Sequence, residues 1–168
     1  MSAPIRAELP VRGSYRIEAA HSSATFRARG LFGLPVRGSM PIRSGALRIA
    51  DGRARVTAEL DAAALDTGNR RRDKDVRSPQ LLDVARFPAV CFEGEVDGDL
   101  ECVRGTLTVH GETVPTELAV QEMRRDDSGV EVVATVRLDR HAFGVSALRA
   151  IIYRYVDVEL TVSLVPAD

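Results

Sequence analysis

Apolar and polar residues alternate along most of this chain, in short runs separated by turn signals. Ala54, Val56, Ala58 and Leu60 alternate with Arg53, Arg55, Thr57 and Glu59. Val132, Ala134, Val136 and Leu138 alternate with Glu131, Thr135 and Arg137, with Val133 alone out of phase. Val156, Val158, Leu160, Val162 and Leu164 alternate with Asp157, Glu159, Thr161 and Ser163. Successive side chains of a strand point to opposite faces, so each run has one apolar and one wet face. The reading extends back to Tyr15 and Ile17, to Ala24, Phe26 and Ala28, and to Val36, Gly38, Met40 and Ile42. It resumes from Val90 to Val96, passes through Val103, Gly105, Leu107 and Val109, and returns through Val114, Thr116, Leu118 and Val120. Turns such as Asp51-Gly52 and Gly111-Glu112 separate the runs. The total is about eight strands, the size at which an antiparallel barrel is filled by its own side chains or holds one small ligand. The predicted fold is all-β: a single antiparallel barrel domain over residues 13–166, preceded by a flexible N-terminal segment, residues 1–12.

Two long stretches break the alternation. From Ala64 to Pro88 the periodicity fails, and Ser78-Pro79 has the order of a helix N-cap followed by a first-turn proline. This predicts a short helix beginning there, with Leu81, Leu82 and Val84 on its apolar side. Connections of that length inside compact domains are uncommon and usually functional, so the segment reads as a cap across one end of the barrel. Asp139 to Ala150, with Phe143-Gly144, forms the second connection, and the last strand runs from Ile151 to Val165 with a bulge expected near Tyr155. Gly30 to Pro35 reads as an exposed apolar bend.

The totals narrow the function. A chain of 168 residues suits one domain with a sizeable core. The net charge of -1 is spread, and the tract Arg70-Arg71-Arg72 is offset by Asp66, Asp73 and Asp75. A solvated loop is therefore expected there, and no nucleic-acid footprint. Aromatic residues make up 5% and there is no Trp, which is poor material for base-stacking platforms. No apolar run follows the N-terminus as a secretory signal would, and none could span a bilayer. The expected compartment is the cytoplasm, with no stable membrane insertion. Cys91 and Cys102 fall on neighbouring strands and are expected as free thiols. With His110 they are too few and too widely spaced for zinc, so neither a metal nor a cofactor is expected.

Many inward-phase residues are small: Ala24, Ala28, Ala54, Ala58, Ala134, Gly38 and Gly105. Cores pack to near crystal density, so a lining this small leaves room for a guest unless the walls close together. The pattern alone leaves a hollow barrel and a packed one equally open. A barrel enzyme acting on a small apolar substrate is a third reading. It needs a base, an orienting partner and an oxyanion donor close together. His21, His110, His141 and Ser22 exist, but no nucleophile elbow surrounds a serine.

The blocks Tyr15 to Ser22 with Phe26, Val36-Arg37-Gly38, Leu65 to Asn69 with Arg72-Asp73, Arg77-Ser78-Pro79, Leu82-Asp83-Val84 and Phe87-Pro88 stand in one order. Gly105 to Gly111 with Thr113 and Pro115, then Leu138-Asp139-Arg140 with Phe143-Gly144-Val145, continue it. This ordered set, which covers nearly the whole chain, resembles the YceI-like family. The resemblance implies a lipocalin-like barrel that holds an amphiphile with a polyisoprenoid or other long tail, such as an isoprenoid quinone, for sequestration or transport. No catalysis is established for that family, so no catalytic residue is assigned. Many relatives are exported, and the resemblance also allows a homodimer. The family often has His where Gly30 stands and again near Lys74-Asp75-Val76, and its aromatic pair is replaced here by Leu81-Leu82.

On this reading the lipid contacts are Phe26, Phe32, Leu34, Leu81, Leu82, Phe87, Phe92 and Phe143, with the tail entering between Phe32 and Leu82. His21, Asp66, Asn69 and Arg72 are candidates for head-group contact or for structural hydrogen bonding. Arg72 and Asp73 are expected to pair and fix the cap, and Arg140 and Asp139 are read in the same way.

Overall fold

A computed structural model describes residues 12–98, 100–147 and 152–167. Ten strands form one antiparallel sheet among these residues: β1 (Gly13–Ile17), β2 (Ser23–Arg29), β3 (Pro35–Met40), β4 (Ile42–Ala50), β5 (Arg53–Asp61), β6 (Ala89–Val96), β7 (Cys102–Val109), β8 (Glu112–Asp126), β9 (Gly129–Asp139) and β10 (Tyr155–Pro166). One helix, α1 (Arg70–Arg77), lies between β5 and β6.

The sheet closes because four of the strands are halves of two staves. β1 and β2 occupy successive stretches of the same edge of β10: Tyr15–Ile17 pairs with Leu164–Pro166, and Ser23–Arg27 pairs with Asp157–Thr161. A short turn at Ala19–His21 bends the stave between them. β3 and β4 form the next stave and part at Pro41, which has no N–H to give a ladder. Counted this way, eight staves run around a closed barrel, in agreement with the pattern of the sequence.

Alternation puts the expected apolar set inside, and one irregularity preserves it. The register slips between Val120 and Glu122, so Met123 rather than a glutamate returns to the interior. A second slip lies between Ile42 and Ser44. The bulge expected near Tyr155 is absent: β10 begins at Tyr155, and the phase change is the start of the strand.

The long connection covers one end of the barrel, and its helix is not where Ser78-Pro79 pointed. Asn69 is the N-cap, its side chain accepting from the Arg72 N–H at 3.0 Å. Ser78 ends the helix instead of starting it. Its backbone is extended, as the residue before a proline prefers, and its hydroxyl donates to the Asp75 carbonyl at 2.6 Å. Leu81 and Leu82 lie in the turns that follow. The segment is stitched to the free edge of β3, where Ser39 and Asp66 exchange backbone hydrogen bonds of 2.8 and 2.9 Å. Residues 1–11 of the expected N-terminal segment, residues 148–150 of the second connection and Ile151, the expected start of the last strand, lie outside the described residues.

Candidate functional site

The barrel encloses a cavity of about 750 Å³. Inward-facing side chains such as Val56, Ala58, Val132, Val136 and Leu160 are only half-buried, because each borders the lumen rather than a neighbour. Two aromatic rings that could have filled the space lie along the wall. Phe26 stands opposite Gly38, where a Cβ would come within 2.3 Å of its ring. The Phe92 ring lies over Gly94, where a Cβ would come within 2.8 Å. These two glycines therefore keep the lumen open by giving the rings a place to lie down. Gly105, by contrast, opens nothing: a Cβ there would strike the backbone of Glu93 and Gly94.

The two ends of the lumen differ. Toward the β4–β5, β6–β7 and β8–β9 turns the lining is apolar, from Leu47, Val96, Val103, Met123 and Val130. Buried Tyr15 and Ile49 stand beyond it on the β1–β4 pair. At the other end, under the cap, the lining includes Arg29, Thr67, Arg72, Asp75 and Arg140.

These polar groups are held by the connections themselves. Buried Asp73 accepts from both the backbone N–H (2.8 Å) and the hydroxyl of Thr67. Those bonds, the hydroxyl's first, hold its carboxyl below the usual range. Arg72 grips the same threonine, its Nε donating to Oγ1 (2.9 Å) and its Nη2 to the carbonyl (2.7 Å). Arg77 Nη2 donates to the Leu65 carbonyl. Arg72 and Asp73 thus meet through Thr67 and not as the expected ion pair. Nor do Asp139 and Arg140 pair. Asp139 binds Arg154 through both oxygens at 2.9 and 2.8 Å. Arg140, buried, donates to the carbonyls of Tyr153, Val145, Ala147 and Ile152 at 2.6–3.0 Å.

Of the expected lipid contacts, Phe26, Leu34, Leu81, Leu82, Phe92 and Phe143 line the cavity. Phe32 and Phe87 do not. Phe32 is 89% exposed, held outward at φ 59° in the β2–β3 turn. Phe87 stands on the outside, edge-on to His110 with centroids 4.9 Å apart and under the Arg86 guanidinium. Of the polar candidates, only Arg72 reaches the lumen. His21 is exposed and meets the Glu18 carboxylate at 2.7 Å, Asp66 caps the Gly68 N–H, and Asn69 caps α1. The sequence reading missed Arg29 and Asp75, because strand phase points Arg29 outward until the strand ends at the rim. Arg140 appeared only as a partner for Asp139. Both cysteines are free thiols, Cys91 exposed and Cys102 buried. Cys91 faces Thr108, while Cys102 donates to Asp97 at 2.7 Å, which with burial pushes its thiol up to about 11.

Comparison with known proteins agrees with this architecture. A UPF0312 protein of Vibrio cholerae is 32% identical over 117 residues, 64% of this chain and 60% of that relative, so the match spans less than two thirds of it. A UPF0312 protein of Vibrio vulnificus is 28% identical over 85% of this chain and 81% of its own. The fold is similar to that of a polyisoprenoid binding domain from Saccharophagus degradans implicated in plant cell wall breakdown. There the TM-score is 0.73 at 18% identity, covering 91% of this chain and 98% of the other. Burkholderia cenocepacia BcnA gives a TM-score of 0.71 at 17% identity, over 88% and 98%. The model of the YceI-like domain matches residues 15–164, and the chain belongs to the YceI-like family.

Proposed function

We propose that this barrel binds a long amphiphilic lipid, tail inward, with the head group under the cap. The observation that carries the reading is the apolar lumen of about 750 Å³. Unfilled apolar volume in a protein interior is destabilising in proportion to its size, so a lumen this large favours an occupant. Water is a poor one along an apolar wall, because each molecule wants two to four polar partners. A hydrocarbon tail needs none and gains about 0.8 kcal/mol per buried methylene. The lining runs along β10 from Val156 to Leu164, roughly 26 Å of strand and about 20 Å of barrel axis once tilt is allowed for. An isoprenoid chain, as in the name of the Saccharophagus degradans domain, fits this shape, and carriage of such a lipid is the role we assign.

A binding role is favoured over catalysis by what faces the lumen. Arg72, Thr67 and Arg140 are occupied in holding the connections, while His21 and His110 stand outside the lining. Native mass spectrometry before and after organic extraction tests the reading. The protein as purified should carry a mass that extraction removes and added prenyl lipid restores. Leu82→Asp, which puts a charge into the half-buried cap lining, should lose most of the retained lipid while keeping its β-sheet circular dichroism. A protein that purifies at its bare mass and takes up no lipid would refute the proposal.

A further inference from the structure

The large apolar side chains most exposed among the described residues are Phe32 (89%), Leu34 (63%), Tyr153 (55%) and Tyr155 (51%), and all four lie at the cap end. They are close in the fold. Tyr153 donates its N–H to the Arg29 carbonyl at 2.9 Å, and its hydroxyl lies 3.3 Å from where a Cβ of Gly33 would stand. Gly33 sits between Phe32 and Leu34, and Leu34 itself lines the lumen. Exposed apolar patches of this kind mark interaction sites. The charge beside the patch says what it meets. α1 borders the same mouth through Arg72, Asp75 and Val76. It carries Arg70, Arg71, Arg72, Lys74 and Arg77 against exposed Asp75 and buried Asp73. The turns at the opposite end carry Asp51, Asp97, Glu101, Asp126 and Asp127. The mouth therefore combines an exposed apolar patch with a basic helix, whereas the far end mixes both signs, with Arg53, Arg124 and Arg125 beside those carboxylates.

We propose that the mouth is a docking face for an anionic bilayer surface, with Phe32, Leu34 and the two tyrosines in the interface and α1 over the lipid head groups. Tyrosine suits that depth, with an apolar ring and a polar tip. Basic segments beside a membrane are drawn to acidic lipid. The basic tract read from sequence as a plain solvated loop thus gains a partner. Docking of this kind is peripheral. It stands independently of what fills the lumen, although it would set the tunnel mouth against the phase from which a lipid could enter.

Cosedimentation with vesicles of phosphatidylcholine alone, and of phosphatidylcholine with phosphatidylglycerol, tests it. The protein should pellet with the second and not the first, and added salt should release it. Arg70→Gln with Arg71→Gln, both exposed, should weaken partitioning about 30-fold. Phe32→Asn should weaken it about tenfold or more, and asparagine tolerates the backbone conformation that Phe32 occupies. Arg124→Gln with Arg125→Gln at the far end should change it little. Equal pelleting with both vesicles, wild-type partitioning by Phe32→Asn, or an equal loss in the far-end variant would overturn the proposal. So would sedimentation velocity showing a wild-type dimer that Phe32→Asn converts to a monomer, which would assign the patch to a second copy of the chain. Native mass spectra of the same variants keep this result separate from lipid retention in the lumen.

Discussion

Phe32 and Arg140 hold opposite positions in the energetics of single residues. Phe32 has φ 59° and ψ 23°, a left-handed conformation that costs a bulky residue roughly 1–3 kcal/mol. Replacement by asparagine should raise stability by about 1 kcal/mol, read from the denaturant midpoint. Unchanged or lower stability would mean that the ring makes a contact worth more than the strain. Arg140 repays burial by satisfying four carbonyls of a connection with no ladder of its own. Arg140→Met should cost about 3 kcal/mol or more by leaving those carbonyls orphaned, and a shift under about 1 kcal/mol would show that water replaces the guanidinium. Neither role was legible from sequence. The alternation around Phe32 gave an exposed bend but no backbone angle. Arg140 next to Asp139 read as a pair, because adjacency in the chain says nothing about which carbonyls fold back around a side chain.

At the scale of elements, the cap depends on one titrating group. Asp73 is ionised well below the usual carboxylate range because Thr67 donates to it twice. A carboxyl lowered on folding contributes stability that is complete above its ordinary value of 3.8 and is lost as the pH falls through the lowered native value. The protection factor of the Thr67 amide, its rate corrected for the intrinsic pH dependence of exchange, should therefore fall in acid while the strands stay protected, and in Asp73→Asn that fall should vanish. A protection factor that does not change with acid in the wild type would place the stability of the cap elsewhere. The strands were legible because a period of two survives any tertiary arrangement. The cap was legible as a cap, since the period failed over that stretch. Its helix was misplaced because Ser-Pro fits both a helix start and the extended residue that stops one, and Asn69, an equally good N-cap eight residues upstream of Arg77, settles the matter in the fold.

At the scale of the molecule, eight staves close around a lumen that sequence left undecided between hollow and packed. The small inward residues were in plain sight. Their consequence depended on whether Phe26 and Phe92 point across the lumen or lie on its wall, and Gly38 and Gly94 decide that. The account's central claim is that this lumen holds a hydrocarbon tail, and titration of delipidated protein with a series of straight-chain amphiphiles sharing one head group tests it most directly. Affinity should rise about fourfold with each added methylene and level off once the tail fills the length of the lumen. An affinity that ignores tail length would contradict the account.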